Sequence, residues 1–222
     1  MKRLFVPLLV AVGLLFAIVP FMIANAPYES TMGLVQKIFY FHVPSWMAMY
    51  TAIAVCGVAS AMFLFRGNTA ADGYAVAAGE VAVLFGLMGL VSGPLWGRKA
   101  WGVWWVWEPR LTSALLMELI FVAYLLVRKY GGPGSEKLAA ATALFGTATA
   151  PFVYKSVDIW RTQHPQTSVV PELLKGSMPG SALPFSLSAL AFVLLSVLLI
   201  SIRTALEHRK AALDALYLAE ED

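Results

Sequence analysis

Long, continuously apolar stretches separated by short polar ones run along the whole chain. Most of them approach or exceed the ~20 residues that an α-helix needs to cross a bilayer. None alternates apolar and polar positions as barrel strands do. Because lipid tolerates only helices or closed barrels, the expected fold class is an all-α polytopic membrane protein with one membrane domain over 1–222. The six predicted transmembrane helices lie at about 4–24, 45–65, 74–95, 111–127, 138–153 and 182–202.

The composition agrees with a membrane protein and excludes an ordinary soluble domain. Hydrophobic residues make up 59% of the chain, charged residues only 13%, and the net charge is +3. The sequence has no basic tail suited to nucleic acid, so membrane lipid is the expected surrounding and nucleic acid is not an expected partner. Cys56 is the only cysteine, which excludes an internal disulfide, a CxxC redox pair and a CxxCH site for covalent haem.

The first apolar stretch has two interpretations. Lys2 and Arg3 precede it and Ala24-Asn25-Ala26 ends it, which is the order of a signal peptide. The stretch is longer than the roughly 7–15 apolar residues of a signal peptide, so we expect an uncleaved first helix.

Counting the spans shows which polar residues share a side of the membrane. His42 precedes span 2, the Trp-rich segment (96–110) follows span 3, and His164 follows span 5. Two spans separate each of these from the next, so all three lie on one side, whichever way the protein is inserted. His208, in the C-terminal tail, lies on the other side.

The positive charges give an orientation. Lys and Arg residues divide nine to seven between the two sides, and the larger number lies on the side of the termini. The positive-inside rule therefore predicts cytoplasmic termini and a periplasmic Trp-rich segment. Arg98, Lys99 and Arg110 flank this segment on the outer side, where cations require a function such as carboxylate binding.

The Trp-rich segment carries the highest density of aromatic rings in the chain. It reads WGVWWVWE from Trp101 to Glu108. On a helix, Trp101, Trp104, Trp105 and Glu108 would share one face and form a flat aromatic surface that ends in a carboxylate. An interfacial tryptophan belt is the alternative, but a belt needs only one or two rings per helix end. The density favours a platform for a flat apolar ligand.

Two histidines, an aromatic surface and cations on one side of the membrane suit haem. His42 and His164 can serve as axial ligands of the haem iron from opposite faces, and tryptophan rings can pack against the macrocycle. Arg98, Lys99 and Arg110 can pair with the propionates. Taken singly, each histidine can instead cap a helix end or lie in the interface. Zinc is the competing metal, but it usually needs three or four ligands and leaves the tryptophans unexplained.

Two carboxylates lie inside predicted spans. Glu80 is early in span 3 and Glu118 is two turns into span 4. Carboxylates within a membrane are costly and often functional. Glu118 is placed to reach a pocket beneath the tryptophans, whereas Glu80 can extend to the membrane interface.

The same residues resemble a known family. Trp101 to Glu108 is similar to the WGxxWxWD signature of the haem-handling proteins of cytochrome c maturation, and 37–44 resembles the segment of their first histidine. His164, shortly after Trp160, lies where the second histidine would fall. Six spans in 222 residues resemble the short CcmC family of these proteins. The family signature ends in Asp, where this chain has Glu108, which keeps a carboxylate one methylene further from the backbone.

The resemblance implies a function and partners. It implies an inner-membrane protein that binds haem at the periplasmic face and presents it to the chaperone CcmE, without being an enzyme. It also implies a non-covalent haem b, and work alongside the transporter subunits CcmA and CcmB and the small protein CcmD. Tryptophans 101, 104, 105 and 107, Glu108 and the three cations would complete the binding site around the histidines. The alternatives are a membrane b-type cytochrome that transfers electrons and a permease subunit of a haem transporter.

The orientation can be tested with reporter fusions. A periplasmic reporter fused after Gly180 should be active, and one fused after Gly134 should be inactive, because the two positions lie on opposite sides of the membrane in the six-span arrangement. The reverse pattern of activities would overturn the orientation.

Overall fold

The computed structural model describes residues 2–30, 32–160 and 162–221, and regular structure in these ranges is almost entirely helical. Arg161, counted above among the periplasmic cations, lies outside the described residues. A 3-10 helix, Leu34–Ile38, precedes the second α-helix. The α-helices are α1 Lys2–Asn25, α2 Phe39–Arg66, α3 Thr69–Trp101, α4 Pro109–Tyr130, α5 Ser135–Ile159, α6 Val169–Leu174 and α7 Ala182–Glu221.

The all-α polytopic membrane class is confirmed. Within the described ranges, five helices are long and apolar enough to cross a membrane, namely α1, α2, α3, α4 and α7. The predicted fifth span, 138–153, does form a helix, α5, but this helix is not among the five. Its 25 residues extend for ~37 Å, which is a membrane-crossing length. The count of six crossings stays a prediction.

Helix boundaries follow from a few capping residues. Gly67 ends α2 in the left-handed region at φ 63°, and the side chain of Asn68 caps α3 by accepting a hydrogen bond from the Ala71 amide at 3.2 Å. Pro109 lies in the first turn of α4, where its missing N–H costs nothing.

Helix α2 starts before the predicted second span, which was placed at about 45–65. It begins at Phe39, so Pro44 lies inside it and His42 belongs to its first turn. Proline leaves the carbonyl four residues earlier without its helical donor. The Ser188 hydroxyl of α7 supplies a donor to that carbonyl, on Tyr40, at 2.5 Å. The helix therefore continues through the proline because α7 packs against it.

Helix α2 lies at the centre of the bundle. It packs against α3, α5 and α7, while α4 packs between α3 and α5, and α1 contacts α7 at the edge. Ion pairs join neighbouring helices toward the end opposite the Trp-rich segment: Asp72 of α3 with Arg128 of α4 at 2.6 Å, and Glu80 of α3 with Arg203 of α7. Arg203 also pairs with Glu207 within α7. Glu80, one of the two carboxylates predicted inside a span, therefore has a counter-charge.

Four glycines of α3 recur at helical spacing, a pattern that predicts a small-residue packing face. In the structure each of them receives a large side chain from α2 or α4. A Cβ placed on any of them would come within 2.0–3.3 Å of an atom of that side chain. The four pairs are Gly79 with Tyr124, Gly86 with Glu118, Gly89 with Trp46 and Gly93 with His42. This glycine face of α3 lets α2 and α4 approach closely, as in other membrane helix contacts.

The glycine face can be tested by adding one methyl group. Gly79→Ala would place a Cβ 2.5 Å from the Tyr124 ring in a buried position, so unfolding in detergent should become easier by ~1–3 kcal/mol, the usual cost of overpacking. Gly13→Ala in α1 is the matched control, since nothing lies within 4 Å of its Cβ position. Equal thermal midpoints for the two variants would contradict the packing described here.

Candidate functional site

The two predicted histidines and three of the predicted tryptophans line one cavity. It encloses about 570 Å³ between atoms, including space open to solvent, and lies at the end of α2, α3 and α4. The side chains of its wall include His42, Trp46, Trp96, Trp101, Trp104, Trp105, Arg110, Leu111, Ala114 and His164. We call it the histidine–tryptophan cavity. The shared side that span counting predicted is therefore also a shared site.

His42 presents a defined nitrogen. Its Nδ1 lies 2.9 Å from the Ser92 hydroxyl, and that hydroxyl donates its own proton to the Met88 carbonyl at 2.7 Å. With the Ser92 proton directed to that carbonyl, Ser92 accepts from the ring and Nδ1 of His42 carries the proton. In this tautomer Nε2 keeps its lone pair, which is the form of histidine that binds metals.

His164 reaches the same state by a different route. Its Nδ1 lies 2.9 Å from the Pro165 carbonyl, which can only accept, so Nδ1 carries the proton and Nε2 keeps its lone pair. Desolvation by burial, and then the positive charge of Arg110, lower the pKa of His164 to about 4. The imidazole is therefore neutral at neutral pH.

The prediction that the aromatic surface lies on a helix is wrong. Helix α3 ends at Trp101, Gly102 adopts a left-handed conformation with φ 79°, and the chain stays irregular until Pro109. The rings come together by folding of this irregular segment. Trp101 packs edge-on against Trp96 with ring centroids 4.9 Å apart, and Trp105 packs against Trp107 at 5.6 Å.

The predicted tryptophans occupy two kinds of position. Trp101, Trp104 and Trp105 line the cavity, and Trp104 is also 57% exposed at its rim. Trp107 does not line the cavity and is 77% exposed. The structure therefore separates three rings that face a ligand space from one that faces outward.

Sequence reasoning missed one wall residue and underused another. Trp46 follows His42 by one helical turn, and their rings lie edge to face with centroids 6.3 Å apart. Trp96, the first residue of the Trp-rich segment, was not among the predicted site residues, and it is buried in the cavity wall. The HxxxW spacing of His42 and Trp46 was the available signal, because residues four apart share a helix face.

The three predicted cations also separate. Arg110 lines the cavity with both histidines and donates a hydrogen bond to the Val153 carbonyl of α5. Arg98 donates to the Gly102 carbonyl and lies 6.0 Å from the centroid of the Trp104 ring, outside the cavity wall. Lys99 is exposed and does not line the cavity. Arg110 is therefore the cation placed to meet a ligand carboxylate inside.

Glu108 connects the Trp-rich segment to the 162–168 loop. Although it occupies the N-cap position of α4, its side chain makes no capping hydrogen bond. Its Oε2 accepts a hydrogen bond from the Gln163 amide at 2.8 Å, immediately before His164. Asp158 holds the far end of the loop by accepting from the Thr167 hydroxyl at 2.7 Å. Two carboxylates thus fix the loop that carries one candidate ligand.

A second cavity lies behind the histidines. It encloses about 630 Å³ between atoms, and four side chains line both cavities: His42, Trp96, Arg110 and His164. Its remaining wall comes from Phe39 and Val43 at the start of α2, from Tyr154 and Val157 of α5, and from 165–167 and 169–170. The histidines and Arg110 therefore form a partition between two spaces.

The donor set of the site is the histidine pair. Among the described residues, no three His, Cys, Asp or Glu side chains come together as a metal cluster. Two neutral imidazoles with free Nε2 atoms, aromatic walls and one guanidinium match the requirements of haem, whose iron needs axial nitrogens and whose propionates need a cation.

Comparison with known proteins gives one family. Residues 1–216 match the family CcmC, described as heme exporter protein C. Heme exporter protein C of Bradyrhizobium diazoefficiens is 35% identical over 85% of this chain and 73% of its own length. The proteins of the same name from Paracoccus denitrificans and Escherichia coli strain K12 are 30% and 28% identical, over 87% and 80% of this chain and 82% and 72% of their own lengths. The chain belongs to the heme exporter protein C family.

The link from Glu108 to the loop can be tested without any ligand. Glu108→Ala removes the acceptor of the Gln163 amide, so amide hydrogen exchange in peptides covering 160–168 should speed up about tenfold. Glu108→Asp keeps a carboxylate and should give an intermediate rate. Glu172→Ala, an exposed carboxylate of α6, is the control and should leave exchange in this loop unchanged. Unchanged exchange in Glu108→Ala would remove Glu108 from this role.

Proposed function

We propose that this family member binds haem b non-covalently at the periplasmic face of the bacterial inner membrane and presents it to the haem chaperone CcmE. One observation carries the proposal: two imidazoles from distant parts of the chain line one tryptophan-walled cavity, and in each the Nδ1 atom is hydrogen-bonded, which leaves Nε2 as the nitrogen available to a metal. The printed name of the relatives, heme exporter protein C, supports haem as the cargo.

In this proposal His42 and His164 are the axial ligands of the haem iron. Ser92 and the Pro165 carbonyl hold the two Nδ1 protons, fix the ring orientations and increase the basicity of the ligating nitrogens. When bound, the haem iron would supply a Lewis acid for the two Nε2 atoms to coordinate.

The rest of the wall recognises the macrocycle and its carboxylates. Trp46, Trp101, Trp104 and Trp105 offer large apolar surfaces suited to a porphyrin. Arg110 lies in the wall between the histidines, where its guanidinium can pair with a propionate. These contacts hold haem without a covalent bond, so the cargo can be released.

The outward residues form the proposed handover surface. Trp107 and Trp104 are largely exposed beside the cavity, and Arg98 and Lys99 lie next to them in sequence. We assign this rim to contact with CcmE, and the family's haem-exporter role to an assembly with CcmA, CcmB and CcmD. The chain itself binds and transfers haem without catalysing a reaction, and its termini are cytoplasmic.

Substitution of the histidines tests the ligand assignment. His42→Ala and His164→Ala should each shift the Soret band of the haem-loaded protein, because an axial nitrogen is lost, and added imidazole should partly restore the spectrum. His208→Ala is the control, since that ring lies against Ala70 at the far end of α3. Wild-type spectra in both single variants would refute the assignment.

Tryptophan variants in the same assay distinguish the rings that line the cavity from the exposed ring of Trp107. Trp101→Ala, Trp104→Ala or Trp105→Ala removes a ring worth ~1.5–3 kcal/mol, so haem retention should fall by about one to two orders of magnitude with little Soret shift. Trp107→Ala should retain haem and impair transfer to purified CcmE. Unchanged retention and transfer in all four variants would favour a membrane belt, and turnover with quinol in place of transfer would favour an electron-transfer cytochrome.

A further inference from the structure

Glu118 lies directly beneath the floor of the histidine–tryptophan cavity. Ala114, one turn earlier on α4, lines the cavity, as do Gly89 on α3 and Trp46 on α2. One turn further from the cavity, the three helices place Glu118, Gly86 and Met49 in contact. The carboxyl group is therefore about one helical turn, ~5 Å, below the ligand space.

The position of this carboxyl depends on the glycine face of α3. A Cβ on Gly86 would lie 2.0 Å from Oε2 of Glu118 and 2.9 Å from Cε of Met49, so only glycine leaves room for the group. Glu118 is 2% exposed, and neither of its oxygens has a hydrogen-bond partner among the residues that the structure describes. The carboxyl group of Glu118 therefore lies in the interior without a hydrogen-bonded cation among the described residues.

The surroundings set the charge of Glu118. Met49 faces it from α2 and Gly86 faces it from α3, and neither can ionise. The charged residue of α4 nearest the cavity is Arg110, two turns above in the cavity wall, and the next titratable residue along α4 in the other direction is Tyr124. An unpaired carboxylate in an apolar interior is strongly unfavourable, so the group is protonated until a positive charge comes close.

We propose that Glu118 is a proton-exchanging counter-ion for the cargo, protonated in the empty cavity and ionised when the cationic core of ferric haem is bound. This inference rests on the proposed function, because it assumes that haem occupies the cavity. Glu118 is a specificity-determining residue that favours ferric over ferrous haem, and it does not touch the iron.

The charges balance in the following way. Ferric iron with the porphyrin dianion has a core charge of +1, and two neutral imidazoles leave it at +1, whereas the ferrous core is neutral. Binding ferric haem therefore favours loss of one proton from Glu118 through the adjacent cavity to solvent. Binding ferrous haem adds no positive charge near Glu118, so Glu118 keeps its proton. A carboxylate this close, in a medium of intermediate dielectric, should favour the ferric form about tenfold.

Glu118→Gln tests the inference with a side chain of the same shape that cannot ionise. Ferric haem should bind this variant about tenfold more weakly than it binds wild type, and ferrous haem should bind both proteins equally well. This difference in affinity corresponds to a midpoint potential of the bound haem that is ~59 mV higher in the variant. Infrared spectra of the full-length haem-free protein at neutral pH should show a protonated carboxyl band that Glu118→Gln lacks. Adding ferric haem should remove the band from wild type, and ferrous haem should not.

Glu80→Gln is the control variant. Glu80 already has Arg203 as its counter-charge and lies toward the other end of α3, so this change should leave the potential and the infrared band as in wild type. An unshifted potential in Glu118→Gln, or no protonated band in the haem-free wild type, would overturn the inference. Failure of wild type to bind either form of haem, with the band present, would instead overturn the proposed function.

Discussion

The structure depends on four glycines along one face of α3. In lipid, helices gain little from burying apolar surface against each other, so close backbone approach has to hold the bundle together. At Gly79, Gly86, Gly89 and Gly93 that approach also makes room for four large side chains from α2 and α4. Two of these, His42 and Trp46, form the wall of the cavity, and a third, Glu118, lies beneath its floor. The absence of side chains at these four glycines thus stabilises the bundle and makes room for the residues that line and underlie the cavity.

The chemistry of the cavity is decided by small polar partners around it. Ser92 and the Pro165 carbonyl are both placed to accept a hydrogen bond from the Nδ1 atom of an imidazole, which leaves Nε2 as the nitrogen available to a metal. Arg110 adds a positive charge in the same wall, which favours the neutral form of His164 over the imidazolium. The two histidines come from a helix and a loop, yet both use Nδ1 as the hydrogen-bond donor and keep the lone pair of Nε2. This shared arrangement favours a common ligand site over two unrelated histidines at helix ends.

Hydropathy predicted the helices well because ~20 apolar residues in lipid allow few alternatives, and span counting placed His42 and His164 on one side for the same reason. Local conformation was harder to predict. The helical pattern of Trp101, Trp104 and Trp105 was misleading, since Gly102 ends the helix immediately after the first of them. The contact of Glu108 with the Gln163 amide joins residues 55 positions apart, and one sequence contains no signal for such a pairing. Likewise, three cations near the motif looked equivalent, and only folding distinguishes Arg110 from the other two.

The two candidate ligands are carried by supports of unequal stiffness. His42 belongs to a helix packed against α3, with its ring against the Gly93 backbone, and it moves only if the bundle moves. His164 belongs to a loop held at its two ends by Glu108 and Asp158, and it can swing away when those few bonds open. For a cargo bound by both, unloading would follow a fixed order: the loop nitrogen dissociates first, and the half-released cargo stays tethered to the helix until an acceptor supplies the replacement bond. Such an order would keep a reactive, poorly soluble molecule from being free in water at any stage.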